Sequence, residues 1–142
     1  MIYKLFISHA WKYDEHYNNL VDKLNSYEIS SKFNFMWHNY SVPKEKPLLD
    51  PNSPHSDAKL TAALDEQIRQ ASCVLIIAGM YVPYKKWIQK EIDLAKKYNK
   101  KIIGIKLWDS ERVPIDVQIA ADIMVGWNTP TIVKSIENLV GK

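Results

Sequence analysis

The chain has 142 residues, 46% hydrophobic and 25% charged, which suits one globular domain spanning 1–142 with a real core. A formal charge of +3, spread along the chain without a basic stripe, argues against nucleic acid as a partner. One cysteine, Cys73, excludes an internal disulfide and a thiolate metal cluster, and no apolar run reaches membrane-spanning length. The first residues run directly into a strand pattern without a signal-peptide layout, so a reducing cytoplasm is the expected compartment and no membrane is an expected partner.

Residues 3–8 (YKLFIS) are a short apolar run closing on small polar residues, the pattern of a buried strand. From Asp14 onward Tyr17, Leu20, Val21, Leu24 and Tyr27 recur at helical spacing. Residues 33–37 (FNFMW) read as a second strand. Residues 38–56 carry four prolines and little periodicity, a long loop of the kind that is more often functional than not. Ser56 or Asp57 can cap the next helix, striped by Leu60, Leu64, Ile68 and Ala71. Residues 73–78 (CVLIIA) are the most apolar run and predict a central strand buried on both faces. A helix over 84–99 follows, then strands over 101–107 (KIIGIKL) and 123–127 (IMVGW). Thr129 or Thr131 opens a last helix with Ile132, Ile136, Leu139 and Val140 on one side. Repeats, linkers and low-complexity stretches are absent.

One residue of the 84–99 helix stands out. At about 100° per residue, Trp87, Ile88, Ile92, Leu94 and Ala95 define an apolar arc, and Glu91 projects from inside it. Lys85, Lys86, Gln89, Lys90, Asp93, Lys96 and Lys97 take the other face. A carboxylate on a buried face is costly unless paired, hydrogen-bonded or turned to a solvated cleft, and proteins accept that cost where chemistry needs it. The plainer reading is a carboxylate at the helix–sheet seam, paired with a lysine or capping a loop amide. Full exposure on the outer face of the helix would contradict a catalytic role.

Alternating strand and helix patterns argue for an α/β fold, a flavodoxin-like doubly wound sheet of five mainly parallel strands in the order 2-1-3-4-5 with helices on both faces. Such sheets bind ligands outside the carboxyl ends of the strands, beside the first strand. The five tryptophans fall at or beyond such ends. Trp108 and Trp127 read as core caps. For Trp11, Trp37 and Trp87 both plain packing and an aromatic wall for a flat heterocycle stay open. A phosphoacceptor receiver is set aside, because Ser8-His9-Ala10 and Ala78-Gly79 stand where its acidic residues belong. The bulky His-Ala-Trp-Lys-Tyr-Asp after strand one does not suit a flavin phosphate loop, and no GxGxxG or P-loop occurs. His9, His16, His38 and His55 are dispersed, so no metal site is expected.

Phe6-Ile7-Ser8-His9 after a short strand resembles the opening motif of Toll/interleukin-1 receptor (TIR) domains. IRQASCVLIIAGMYVPYKKWIQKEIDLA, residues 68–95, resembles that family's third-strand segment with its W-x-x-x-E helix, here Trp87 to Glu91. Trp37-His38-Asn39-Tyr40-Ser41-Val42-Pro43, with Asp50 beyond, is similar to the bacterial TIR-like branch that includes the TIR component of the Thoeris anti-phage system. The resemblance implies that Glu91 is the catalytic carboxylate for cleaving NAD+ at the nicotinamide–ribose bond. It further implies a pocket floored by Phe6 and Ser8 and covered by the loop after strand two, with His9, Trp37, Asn39, Asp50 and Trp87 as looser substrate-binding candidates. NAD+ is then a substrate, with no resident cofactor. The Thoeris likeness favours a cyclic ADP-ribose isomer as a signal read by a separate effector protein, and the family implies self-association. Lys86 stands where serine is common, Ile88 replaces the usual cysteine, and the arginine some relatives carry after strand one is missing. Two other readings remain: a TIR-type interaction module without catalysis, and an enzyme like the nucleoside 2-deoxyribosyltransferases, which share the fold and also use a glutamate.

Overall fold

Residues 2–8, 14–41, 56–77, 85–106 and 115–140 are described by the computed structural model, with 14, 56–60, 85–87 and 115–116 described for the backbone only. Among the described residues, ten elements alternate: β1 (Ile2–Ile7), α1 (Asp14–Ser30), β2 (Met36–Asn39), α2 (Ser56–Gln70), β3 (Cys73–Ile77), α3 (Lys85–Lys97), β4 (Lys101–Lys106), α4 (Ile115–Ala120), β5 (Ile123–Gly126) and α5 (Thr129–Val140). The strands form one sheet in the order β2-β1-β3-β4-β5, and every neighbouring pair is parallel. Parallel neighbours need crossovers, and a helix supplies each of them. The winding direction reverses between β1 and β3, so the carboxyl ends of these two strands flank the crevice where such folds bind ligands.

Register assigns the faces. Tyr3 lies level with Trp37, and Leu5 with both Asn39 and Cys73, so these side chains share one face. That face packs on α1 and α5: the Tyr3 ring stacks on Phe35 at 5.7 Å, and Phe35 meets Tyr27 of α1 edge-on at 5.8 Å. Burial, and then the Glu137 carboxylate of α5, raise the pKa of the Tyr3 phenol. Phe6 and Ser8 project to the opposite face, under α2 and α3. All five residues of β3 are fully buried, which explains why its sequence is a continuous apolar run without alternation. In β4, a side chain at Gly104 would overlap the Met124 thioether reaching over from β5.

The second strand starts three residues later than its apolar letters imply. Lys32 and Phe33 take successive left-handed conformations (φ 55° and 63°), and the Phe33 amide caps α1 by donating to the Glu28 carbonyl at 3.0 Å. This turn leaves Phe33 more than half exposed, and the chain rejoins the sheet only at Met36. Left-handed backbone at two non-glycine residues is unusual, and no glycine marks the turn in the sequence. Residues 42–55, most of the proline-bearing loop, lie outside the described residues, and its first residues, His38 and Asn39, belong to β2. Among the described residues, no helix is long and apolar enough to cross a membrane.

Cys73 sits wholly inside the sheet, on the α1–α5 face. Burial, with the Asp122 carboxylate adding to it, pushes its thiol from 9.0 up to about 12. Because the folded state favours the protonated thiol, this contribution is complete below about pH 9 and is lost as the pH climbs towards about 12. The native protein is therefore expected to resist a disulfide thiol reagent at neutral pH and to react once unfolded. Above pH 9 its melting temperature should fall more steeply than that of Cys73→Ala. Equal slopes would contradict this.

Candidate functional site: a hydroxyl-held carboxylate at the switch point

The 85–97 segment forms a helix because its charged residues share one stripe and its aliphatic residues another. Ile88, Ile92, Leu94 and Ala95 are buried, while Asp93, Lys96 and Lys97 are exposed. Glu91 falls on the buried side and is 0% exposed. Among the described residues it is the one buried carboxylate. Its helix is held against α2 by side-chain contacts along their seam. Tyr98 donates its hydroxyl to Asp65 Oδ1 at 2.8 Å, and Lys90 Nζ donates to Thr61 Oγ1 at 3.1 Å. These contacts fix the roll of α3, and with it the direction in which Glu91 points.

It points at the carboxyl end of β1. Ser8, 1% exposed, donates its hydroxyl to Glu91 Oε1 at 2.7 Å. Bonds of that length to an ionised oxygen are the strong ones, and in a site closed to water they are worth more than at a surface. The backbone that presents Ser8 is bound on both sides. Ser8 N donates to Leu75 O at 2.8 Å, and Ile7 N donates to Ser41 Oγ at 3.0 Å. Ser41 is itself pinned, donating its amide to Asn39 Oδ1 at 2.9 Å and accepting from Gln67 Nε2 of α2 at 3.2 Å. The Ser41 hydroxyl thus replaces a ladder partner where β2 has ended. Removing it in Ser41→Ala leaves a buried amide unpaired, with an expected cost of about 1–3 kcal/mol, read as a lower urea midpoint at unchanged slope.

The other expected site residues distribute unevenly. Phe6, 1% exposed, shares the Ser8 face and forms part of the packed layer beneath it. Trp37 is the second residue of β2, not its end, and its indole is buried on the α1 side, donating Nε1–H to Asn25 Oδ1 at 3.1 Å. Asn39 is exposed and also turned to α1, donating Nδ2–H to the Tyr17 hydroxyl at 2.7 Å. The sheet therefore separates Trp37 and Asn39 from Glu91. Any such separation follows from register, which sends alternate residues of β2 to opposite faces. His9, Trp11, Asp50 and Trp108 lie outside the described residues, and the side chain of Trp87 does too. Trp127 is half-buried after β5, edge-on to His16 at 6.4 Å. Ser41 and Gln67 are the additions that the letters did not flag: a lone serine two residues before a proline gives no hint of which amide it will receive. A cleft of about 440 Å³ lined by Asp22, Lys23, Ser26, Tyr27, Ser30 and Thr129 lies along α1, on the far side of the sheet from Glu91. Among the described residues, no three His, Cys, Asp or Glu side chains gather to hold a metal.

The parallel sheet ordered 2-1-3-4-5, with the Ser8–Glu91 pair at the carboxyl end of β1, belongs to the flavodoxin-like class of folds. The model of the family "Thoeris protein ThsB, TIR-like domain" matches residues 6–112, which include Ser8, Ser41 and Glu91, and the chain belongs to that family. Among solved structures, the chain is similar to the CMP N-glycosidase BcmB of Clostridium botulinum, with a TM-score of 0.53 at 14% identity over 95% of this chain and 98% of that one. It is also similar to a de novo designed Rossmann 2x3 fold protein, with a TM-score of 0.51 at 8% identity over 99% and 90% of the two chains. At such identities these likenesses concern the fold alone. No curated protein matches the sequence.

Proposed function

We propose that the protein consumes NAD+, cleaving its nicotinamide–ribose bond with Glu91 as the catalytic carboxylate and releasing a cyclic ADP-ribose isomer as a signal in anti-phage defence. The observation that carries this reading is the fully buried Glu91, held by Ser8 at the carboxyl edge of the sheet beside the β1–β3 crossover. Membership of a Thoeris TIR-like family supports it.

The chemistry asks for one well-placed negative charge. Nicotinamide leaves a pyridinium as a neutral base, so no proton need be delivered to it. As the C–N bond breaks, positive charge develops on the ribose, and a carboxylate stabilises it as in glycoside hydrolysis. A site closed to water strengthens that interaction, because preorganised charge acts there without screening. Capture of the ribosyl carbon by a nucleophile of the bound nucleotide gives the cyclic isomer, and capture by water gives ADP-ribose. A carboxylate with no exposed surface cannot touch substrate until the atoms covering it separate, so the active form must be more open around Glu91. Self-association is the proposed trigger, and a separate effector protein the proposed reader of the signal.

The test is to incubate the purified chain at high concentration, with and without crowding agent or infected-cell extract, with NAD+ and separately with deoxynucleosides. Chromatography and mass spectrometry then identify the products. Free nicotinamide and a product one water lighter than ADP-ribose are expected. Base release from deoxynucleosides with NAD+ intact would instead identify a nucleoside enzyme. Both substrates intact under every condition would favour an interaction module.

A further inference from the structure

We propose that Ser8 is the positioning residue for Glu91, acting on the carboxylate and not on substrate; the inference rests on the reading of Glu91 as the catalytic group. A serine hydroxyl has one proton to give, and Ser8 gives it to Glu91 Oε1 at 2.7 Å from a site that is 1% exposed. The donor stands on the sheet itself, because the peptide groups of residues 7 and 8 are tied to Ser41 on one side and to Leu75 on the other. A partner mounted on a bound strand keeps its geometry better than one on a loop, and locks the rotamer of the group it holds.

Two consequences follow. The hydroxyl fixes one carboxylate oxygen, so the charge is aimed before substrate arrives. A hydrogen bond donated to the ionised form also favours that form, so Ser8 keeps Glu91 charged to lower pH than burial alone would allow. The described groups packed around this face do not titrate. They are Phe6 on β1, Val74 and Ile76 on β3, Ile102 and Gly104 on β4, and Leu64 and Ile68 on α2. At the helix seam Lys90 is engaged by Thr61, and Asp65 by Tyr98, Arg69 and Lys97. The buried Tyr3 and Cys73 lie on the other face of the sheet. Ser8 is thus a direct lever on the charge of Glu91.

The experiment compares wild type with Ser8→Ala and Ser8→Cys in the full chain. With NAD+, Ser8→Ala is expected to lower kcat about tenfold to a hundredfold with KM unchanged, the scale of a hydrogen bond to a charged group. The acid limb of its pH–rate profile is expected to move to higher pH. Ser8→Cys, a weaker donor of similar size, should fall between, and it carries the same test if the alanine variant does not fold. A second readout needs no turnover: carbon-13 NMR of the glutamate carboxyls, with the Glu91 signal assigned by its loss in Glu91→Gln. That signal should titrate at higher pH in the Ser8 variants. If wild type leaves NAD+ intact, the functional reading fails while the NMR titration still decides the role of Ser8. A raised KM with unchanged kcat, or a Glu91 titration indifferent to Ser8, overturns the proposal.

Discussion

Glu91→Gln is expected to reduce nicotinamide release by about a thousandfold or more while leaving the melting temperature close to that of wild type. The two halves of that result have different causes. Activity falls because the amide keeps the shape of the side chain but not its charge, and the proposed reaction needs charge opposite the forming ribosyl cation. Stability holds because glutamine keeps the shape of the side chain in a site with no solvent exposure. The Ser8 hydroxyl can still donate to the carbonyl oxygen of the new amide. A carboxylate serving only to brace α3 would behave in the opposite way: its loss would destabilise the helix–sheet seam and leave turnover of the folded fraction intact. Thermal melting and nicotinamide release measured on the same preparation distinguish the two.

Trp37→Ala is expected to cost about 3–5 kcal/mol of stability, the usual penalty for emptying a buried aromatic site. The indole is 6% exposed and gives its N–H to Asn25, so the variant loses packing between β2 and α1 and leaves the Asn25 oxygen to find water. The milder Trp37→Phe keeps most of the packing and should fold. Its KM for NAD+ is expected to match wild type, because the ring lies on the other side of the sheet from Glu91. A raised KM in a well-folded Trp37→Phe would mean that this side chain reaches substrate after all. Denaturant unfolding and steady-state kinetics read the two effects.

The parts of the molecule that were legible in advance are those where one physical signal dominates. β3 announced itself because a strand covered on both faces must be apolar throughout. Glu91 stood out because α3 sorts its residues so cleanly that one carboxylate among Ile88, Ile92 and Ala95 breaks the pattern. Its partner was less visible: Ser8 came into view through resemblance, as part of a pocket floor, and only the folded chain turns its hydroxyl to Glu91. The face occupied by Trp37 and Asn39 was hidden for a different reason. Closeness in a motif says nothing about side, since a shift of one residue in β2 would reverse every side chain in it. The late start of β2 depends on left-handed backbone at Lys32 and Phe33, residues with no intrinsic preference for it. Ser41 needed the end of β2 to be known before its hydroxyl could be assigned to the Ile7 amide.

Whether Glu91 faces the ribose of NAD+ in the active form is decided by a structure of the self-associated protein bound to an NAD+ analogue whose nicotinamide–ribose bond cannot break. The ribose carbon bearing nicotinamide is expected in contact with the Glu91 carboxylate, with Ser8 still bonded to that carboxylate. An analogue seated instead on the α1 side of the sheet, with Glu91 sealed beneath α3 as before, would contradict it.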